Sequence, residues 1–419
     1  MKRWLVPVVS MAVLVSPTAA QSPADPAQLL PGGARWASER PANWNGTLLL
    51  WSRGYSPTVG KPETAPAALR EALLARGYAI AGSDYGSGGW ALEEAVPAQR
   101  ATIAAFAARH GKPKRVIAWG YSMGGLVTTA LAEQRPAAID GAVALCASIG
   151  GAVGMMNMAL DGATAFRTLV APDAGIRVVD IDDDMANGKK VEAAVADAAA
   201  TPAGRARIAL AGVLAGIPGW TSRDRAEPAP TDYAAQADEI ARSFSRGVFL
   251  PRLDQERRAG GVFSWTTGVD YRRQLDQSGR RAMVAALYRA AGLDLDADLK
   301  RLQAAPPIAA KPAAVRYMMQ HYTPNARAAV PLIAVQAIGD GLTAPALQRG
   351  YAEAAGARVQ SLWVRQAGHC TFTPDTVLAS IRYLEARLDS GRWPGRPAGF
   401  VAHTPSPMLR PCVRGVRCK

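Results

Sequence analysis

The chain has only four histidines and four cysteines in 419 residues, so any site that needs either residue draws on a short roster. None of the cysteines forms a C-x-x-C unit, and without paired thiolates a structural zinc site is not expected. Beyond the first twenty residues no apolar run is long enough to cross a bilayer. There is no internal repeat, and basic and aromatic residues are not interleaved as in a nucleic-acid binder. The net charge of +14 comes from dispersed arginines, which read as a solvated surface, with no nucleic-acid partner and no stable membrane insertion.

What is present begins with a leader. Residues 1–20 open with Lys2 and Arg3, continue through an apolar stretch interrupted by Pro7, and end in small residues at Ala20. That order is the pattern of a secretory signal peptide, so the mature protein is expected to be exported, periplasmic or extracellular. An even cysteine count in an exported chain suggests two disulfides. Cys412 and Cys418 bracket a short loop and are expected to close on each other, leaving Cys146 with Cys370.

The stretch "RVIAWGYSMGGLVTTALA" carries the strongest chemical signal. Val116 to Trp119 reads as a buried strand and Leu126 to Ala132 as a buried helix, with Ser122 at the junction. A strand that turns directly into a helix forces its corner residue into a strained conformation, and Gly120 and Gly124 supply the space. This G-x-S-x-G corner lifts a serine hydroxyl off the sheet. It also aims the Met123 backbone N–H at the place where an oxyanion would form.

A serine needs a base, and the base needs an orienting acid. His110, His321 and His403 follow a helix, lie in a helical region and lie in the tail, respectively. Only His369, in "AGHC", follows a sheet strand. Asp340, in "GDGLTAP", follows the strand Leu332 to Ala337, which puts both at the carboxyl edge that bears Ser122. The order Ser122, Asp340, His369 is the chain order described for this kind of triad.

With "GYSMGG", "GDGLTAP" and "AGHC" in this order, the chain resembles an α/β-hydrolase-fold serine hydrolase of the secreted bacterial esterase, lipase or peptidase type. The resemblance covers about 41–150 and 330–390. It implies a mostly parallel central sheet with helices on both faces and a large helical cap or lid insertion. The expected organisation is a signal peptide (1–20), an N-terminal arm (21–40), a first core part (41–150), the insertion (151–329), a second core part (330–390) and a tail (391–419). Helices are expected from about Pro97 to His110 and over Tyr271 to Ala291, and "MMNMAL" in the insertion reads either as part of a lid over the site or as ordinary helix packing. In this fold the loop after the strand equivalent to Leu48–Trp51 gives the second oxyanion donor. Here it reads "SRGYSP", with Arg53 where histidine is common, and the Tyr55 N–H is the expected donor, ahead of that of Gly54. Cys370 directly after His369 resembles the tannase and feruloyl esterase family, in which a disulfide ties the neighbours of the catalytic serine and histidine. Tyr121 precedes Ser122, so Cys146 takes the partner's place in the expected brace of the His369 loop.

The implied function is hydrolysis of carboxylic esters through an acyl-enzyme, with Ser122, His369 and Asp340 as nucleophile, base and orienting acid. Tyr121, Tyr85 and Trp90 are expected at the substrate, where aromatic walls suit an apolar or aromatic ester. A serine peptidase or amidase uses the same triad, and a non-catalytic binding protein on the same scaffold is the reading from a different class. No cofactor or metal is called for. Asp180, Asp182 and Asp184 have the first spacings of a calcium loop, but Met185 and Val191 stand where glycine and glutamate are required. Oligomeric state is not legible.

Overall fold

The computed structural model describes residues 28–416 and 418. The expected leader lies outside the described residues.

Strands form where branched and aromatic residues alternate between two buried faces. The first part of the chain runs β1 (Gln28–Leu29), β2 (Arg35–Glu39), β3 (Thr47–Ser52), α1 (Ala67–Ala75), β4 (Ala79–Ser83), α2 (Leu92–His110), β5 (Arg115–Tyr121), α3 (Met123–Ala132) and β6 (Gly141–Leu145). In β3, Leu48 and Leu50 point into a core shared with Phe106 of α2 and Leu126 and Leu131 of α3. Leu49 and Trp51 point the other way, toward Leu69 and Leu73 of α1. A strand buried on both faces reads as a continuous apolar run, and "TLLLWS" does.

After β6 come nine helices: α4 (Gly151–Leu169), α5 (Asp184–Ala199), α6 (Pro202–Leu214), α7 (Tyr233–Val248), α8 (Leu253–Ala259), α9 (Tyr271–Gln277), α10 (Arg281–Ala290), α11 (Leu295–Gln303) and α12 (Pro312–Tyr322). Phe166, Leu210, Phe244, Leu275, Tyr288 and Leu299 give this segment an apolar core of its own. The chain then returns to the sheet with β7 (Leu332–Gly339), α13 (Pro345–Ala355), β8 (Val359–Ala367) and α14 (Pro374–Ser390).

The sheet order is β1-β2-β4-β3-β5-β6-β7-β8, antiparallel at β1-β2-β4 and parallel from β4 to β8. Helices α1 and α14 cover one face, and α2, α3 and α13 the other. A mostly parallel sheet covered on both sides is the architecture the strand and helix alternation implies.

Several elements differ from the reading of the sequence. Residues 35–39, expected within the N-terminal arm, form a strand that pairs antiparallel with β4. Helix α2 begins at Leu92, ahead of the expected start near Pro97; burial of Leu92 and Ala95 offsets the N–H that Pro97 cannot donate. The single helix expected over Tyr271 to Ala291 is two, α9 and α10, because Gly279 between them takes φ 71°, a conformation that ends a helix. Of the two readings of "MMNMAL", a lid over the site or ordinary helix packing, the second holds: Met155, Met156 and Met158 are all buried in α4.

Candidate active site

Ser122 occupies the single residue between β5 and α3, with φ 57° and ψ −122°. Its corner is tight: a Cβ on Gly120 would stand 2.5 Å from Gly124 O and 2.7 Å from Ser52 O, and one on Gly124 would overlap Ser52 O. These glycines are therefore required by the approach of β3 to the start of α3. Six non-glycine residues among those described have positive φ, and four of them, Tyr85, Ser122, Cys146 and Cys370, surround this corner. Backbone strain of that kind costs of order 1–3 kcal/mol per residue and persists where the surroundings over-determine it.

Asp340 follows β7 and is fully buried. One carboxylate oxygen accepts the backbone N–H of Leu342 at 2.9 Å and of Thr343 at 3.0 Å. The other lies 2.9 Å from His369 Nδ1. The Thr343 hydroxyl stands 2.9 Å from that second oxygen and 3.0 Å from Cys146 O, and its one proton can serve either acceptor. His369 Nε2 lies 2.9 Å from Ser122 Oγ. With Nδ1–H donated to the carboxylate, Nε2 is left as the acceptor of the serine proton. The structure thus brings Ser122, His369 and Asp340 into one hydrogen-bonded line from three strand ends. His110 instead lies 3.0 Å from the Ser38 hydroxyl, His321 stands 3.8 Å from Glu93 Oε1, and His403 packs on Trp363, where burial lowers its pKa.

The turn holding His369 is fixed covalently. Cys370 is disulfide-bonded to Cys146, at the end of β6, and its Sγ lies 3.3 Å from His369 Nε2. Cys146, His369 and Cys370 are close enough together to hold a metal ion, but both sulfurs are committed to the disulfide. A second disulfide joins Cys412 to Cys418.

Arg53 is the residue here that sequence reasoning missed. Its buried guanidinium stacks on the Tyr85 ring at 4.5 Å and donates to Gly54 O at 3.1 Å, Asp84 O at 3.0 Å and Ser87 O at 2.7 Å. In a trans peptide the C=O and the following N–H point in opposite directions. By holding Gly54 O, Arg53 therefore turns the Tyr55 N–H to the other side of the loop. The only signal in the sequence was that Arg53 stood where a histidine is common.

Of the three aromatics expected at the substrate, Tyr121 is half-buried beside Ser122, with Phe372 6.2 Å away. Tyr85 is placed differently: its ring lies under Arg53 and its hydroxyl donates to Arg53 O at 3.1 Å, so it supports the loop from beneath. Trp90 is likewise buried, donating its ring N–H to Pro251 O, with its ring 5.5 Å from that of Tyr55. Sequence position alone could not separate a side chain facing the site from one propping up its wall.

The helical segment closes against this edge along two lines. Trp220 O and Arg223 pack on the glycines that precede Asp340 and His369. On the other side Asp254 accepts the Trp90 backbone N–H at 2.7 Å, while Arg258 reaches Glu94 Oε1 at 2.7 Å and Ser87 Oγ at 2.9 Å.

Residues 87–241 match the serine aminopeptidase, S33 family. The chain is 29% identical over 404 residues to an o-phthalyl amidase of Xanthobacter agilis, a match covering 87% of each protein. Among solved structures it is similar to a proline iminopeptidase of Mycobacterium smegmatis (12% identity, 88% of this chain and 100% of that one, TM-score 0.42). Another is an esterase from Aspergillus oryzae (12% identity, 86% and 78%, TM-score 0.40). The chain has the α/β-hydrolase fold, and the family and relative matches support a hydrolase of the esterase or amidase/peptidase kind.

Proposed function

We propose that this protein is a serine hydrolase that cleaves carboxylic esters through an acyl-enzyme. The line of 2.9 Å contacts from Ser122 Oγ through the His369 imidazole to Asp340 carries the reading. His369 Nε2 takes the serine proton as Oγ attacks the carbonyl carbon. The Met123 and Tyr55 N–H groups receive the oxyanion, and Asp340 supports the imidazolium. His369 then hands its proton to the leaving oxygen, and water repeats the path to release the acid. Each oxyanion donor is worth about 10²–10³ in rate. Tyr121 and Phe372 offer an apolar, aromatic wall to the acyl or alcohol group.

Amide cleavage is the second reading, favoured by the amidase relative, and differs only in that His369 protonates a leaving nitrogen. Export fits the two disulfides and the lack, among the described residues, of any helix able to cross a membrane. The deciding experiment is turnover of p-nitrophenyl esters and aryl amides by the mature protein and by Ser122→Ala. Serine-dependent ester turnover, with a loss of about 10⁴-fold or more in Ser122→Ala, is expected. Amide-only turnover transfers the enzyme to the second reading. Undiminished activity in Ser122→Ala, or no covalent labelling of Ser122 by an aryl phosphonate, overturns both.

A further inference from the structure

A cavity of about 300 Å³ lies between the helical segment, the start of α13 and the tail around His403–Leu409, and neither Ser122 nor His369 lines it. Its notable charge is Arg280. No carboxylate among the described residues pairs with this guanidinium, in contrast to the ion-paired Arg207, Arg225, Arg252 and Arg410. Nη1 donates to Ile217 O at 2.7 Å, and Nη2 has only the long 3.4 Å approach to Gln236 Oε1 and the Met283 sulfur. Burial lowers the Arg280 pKa to about 10, which leaves it charged at neutral pH. Arg280 is half-buried, and holding a cation partly out of water without an anion has a cost that is recovered when an anion enters.

The rest of the cavity indicates what that anion carries. Pro218, Pro228, Pro345 and Pro405 with Trp220 make rigid apolar walls, and Thr404 and Ser406 add neutral hydroxyls. Glu227, the acid in the lining, is engaged by Arg365 at 2.5 Å, and burial disfavours the charged form of His403. A planar carboxylate matches the guanidinium fork, and the volume fits a body about the size of one ring.

We infer that this cavity is a binding site for a small carboxylate with an apolar body, held by Arg280 and separate from the Ser122 site. The ligand would touch Ile338 and Pro345, on either side of Asp340 in the chain.

Benzoate and its neutral analogue benzamide are suitable probes, titrated calorimetrically into the full mature protein and into Arg280→Met. Saturable one-to-one benzoate binding is expected, at least tenfold tighter than benzamide and at least tenfold weaker in Arg280→Met. Benzoate affinity unchanged in Arg280→Met would place binding elsewhere, at the serine site included, and overturn the inference. So would equal affinity for the two probes, or no binding up to roughly 50 mM. Should Arg280→Met fail to fold, the benzoate against benzamide comparison on the wild type, repeated with a Thr404→Trp variant that adds a ring at an exposed lining position, decides in its place: benzoate binding lost in Thr404→Trp supports the site, and binding retained overturns it.

Discussion

At the carboxyl edge of the sheet, the positions of Ser122, Asp340 and His369 are set by close backbone approach, left-handed corners and hydrogen bonds from main-chain N–H groups. Within the helices α4–α12, buried charges do much of the positioning: Asp161 meets Arg410 of the tail at 2.9 Å, Arg207 meets Asp298 at 2.7 Å, and Arg252 meets Glu256 at 3.3 Å. The first kind of order fails when an atom is added. The second fails when a partner is removed, since a buried pair specifies an arrangement more than it stabilises one.

Adding one methyl at the edge is the harshest test. Gly124→Ala places a Cβ against Ser52 O and is expected to abolish turnover and to cost more than about 4 kcal/mol, read by urea unfolding. An active, stable Gly124→Ala would mean that the edge tolerates movement and that the contrast is false. Removing a partner in the helices comes next. Asp161→Ala strands Arg410 and should cost about 3–5 kcal/mol, while turnover per folded molecule stays within about twofold.

A gentler probe is pH. Burial pushes the Asp161 carboxyl up to about 6 despite Arg410, from an ordinary 3.8. The folded protein therefore holds this proton more firmly than the unfolded chain. The group's contribution to stability is largest below about pH 4 and declines as pH rises through about 6. Wild type should lose stability relative to Asp161→Asn as pH is raised from 4.5 to 7, and a difference that runs the other way refutes the assignment. The smallest effect belongs to Asp296, which faces Arg272 at 2.7 Å with both side chains about half exposed. Asp296→Ala should change unfolding free energy by no more than about 0.5 kcal/mol.

The same contrast explains what could be read from sequence. Ser122 and Asp340 each follow an apolar run that reads as a buried strand, His369 follows the partly polar strand "VQSLWVRQA", and glycine marks each corner, so their meeting at one edge was legible. The helices were less so. Alanine-rich segments such as α6 carry no strong stripe, and the breaks between helices depend on single residues such as Gly279. Charge pairing across long separations, as between Asp161 and Arg410, leaves no local pattern at all. Strand β2 was missed because its reason for being a strand is the exposed edge of β4, which no window of sequence around it contains.

The bond between Cys146 and Cys370 joins residues 224 positions apart, across the entire helical segment. During synthesis the serine corner and Cys146 emerge long before their counterpart, so the covalent half of the site is completed only after every helix between them has been made. Where thiols are kept reduced it is not completed at all. The covalent brace of the His369 turn is thereby tied to where and when the chain finishes maturing, a timing device written into connectivity.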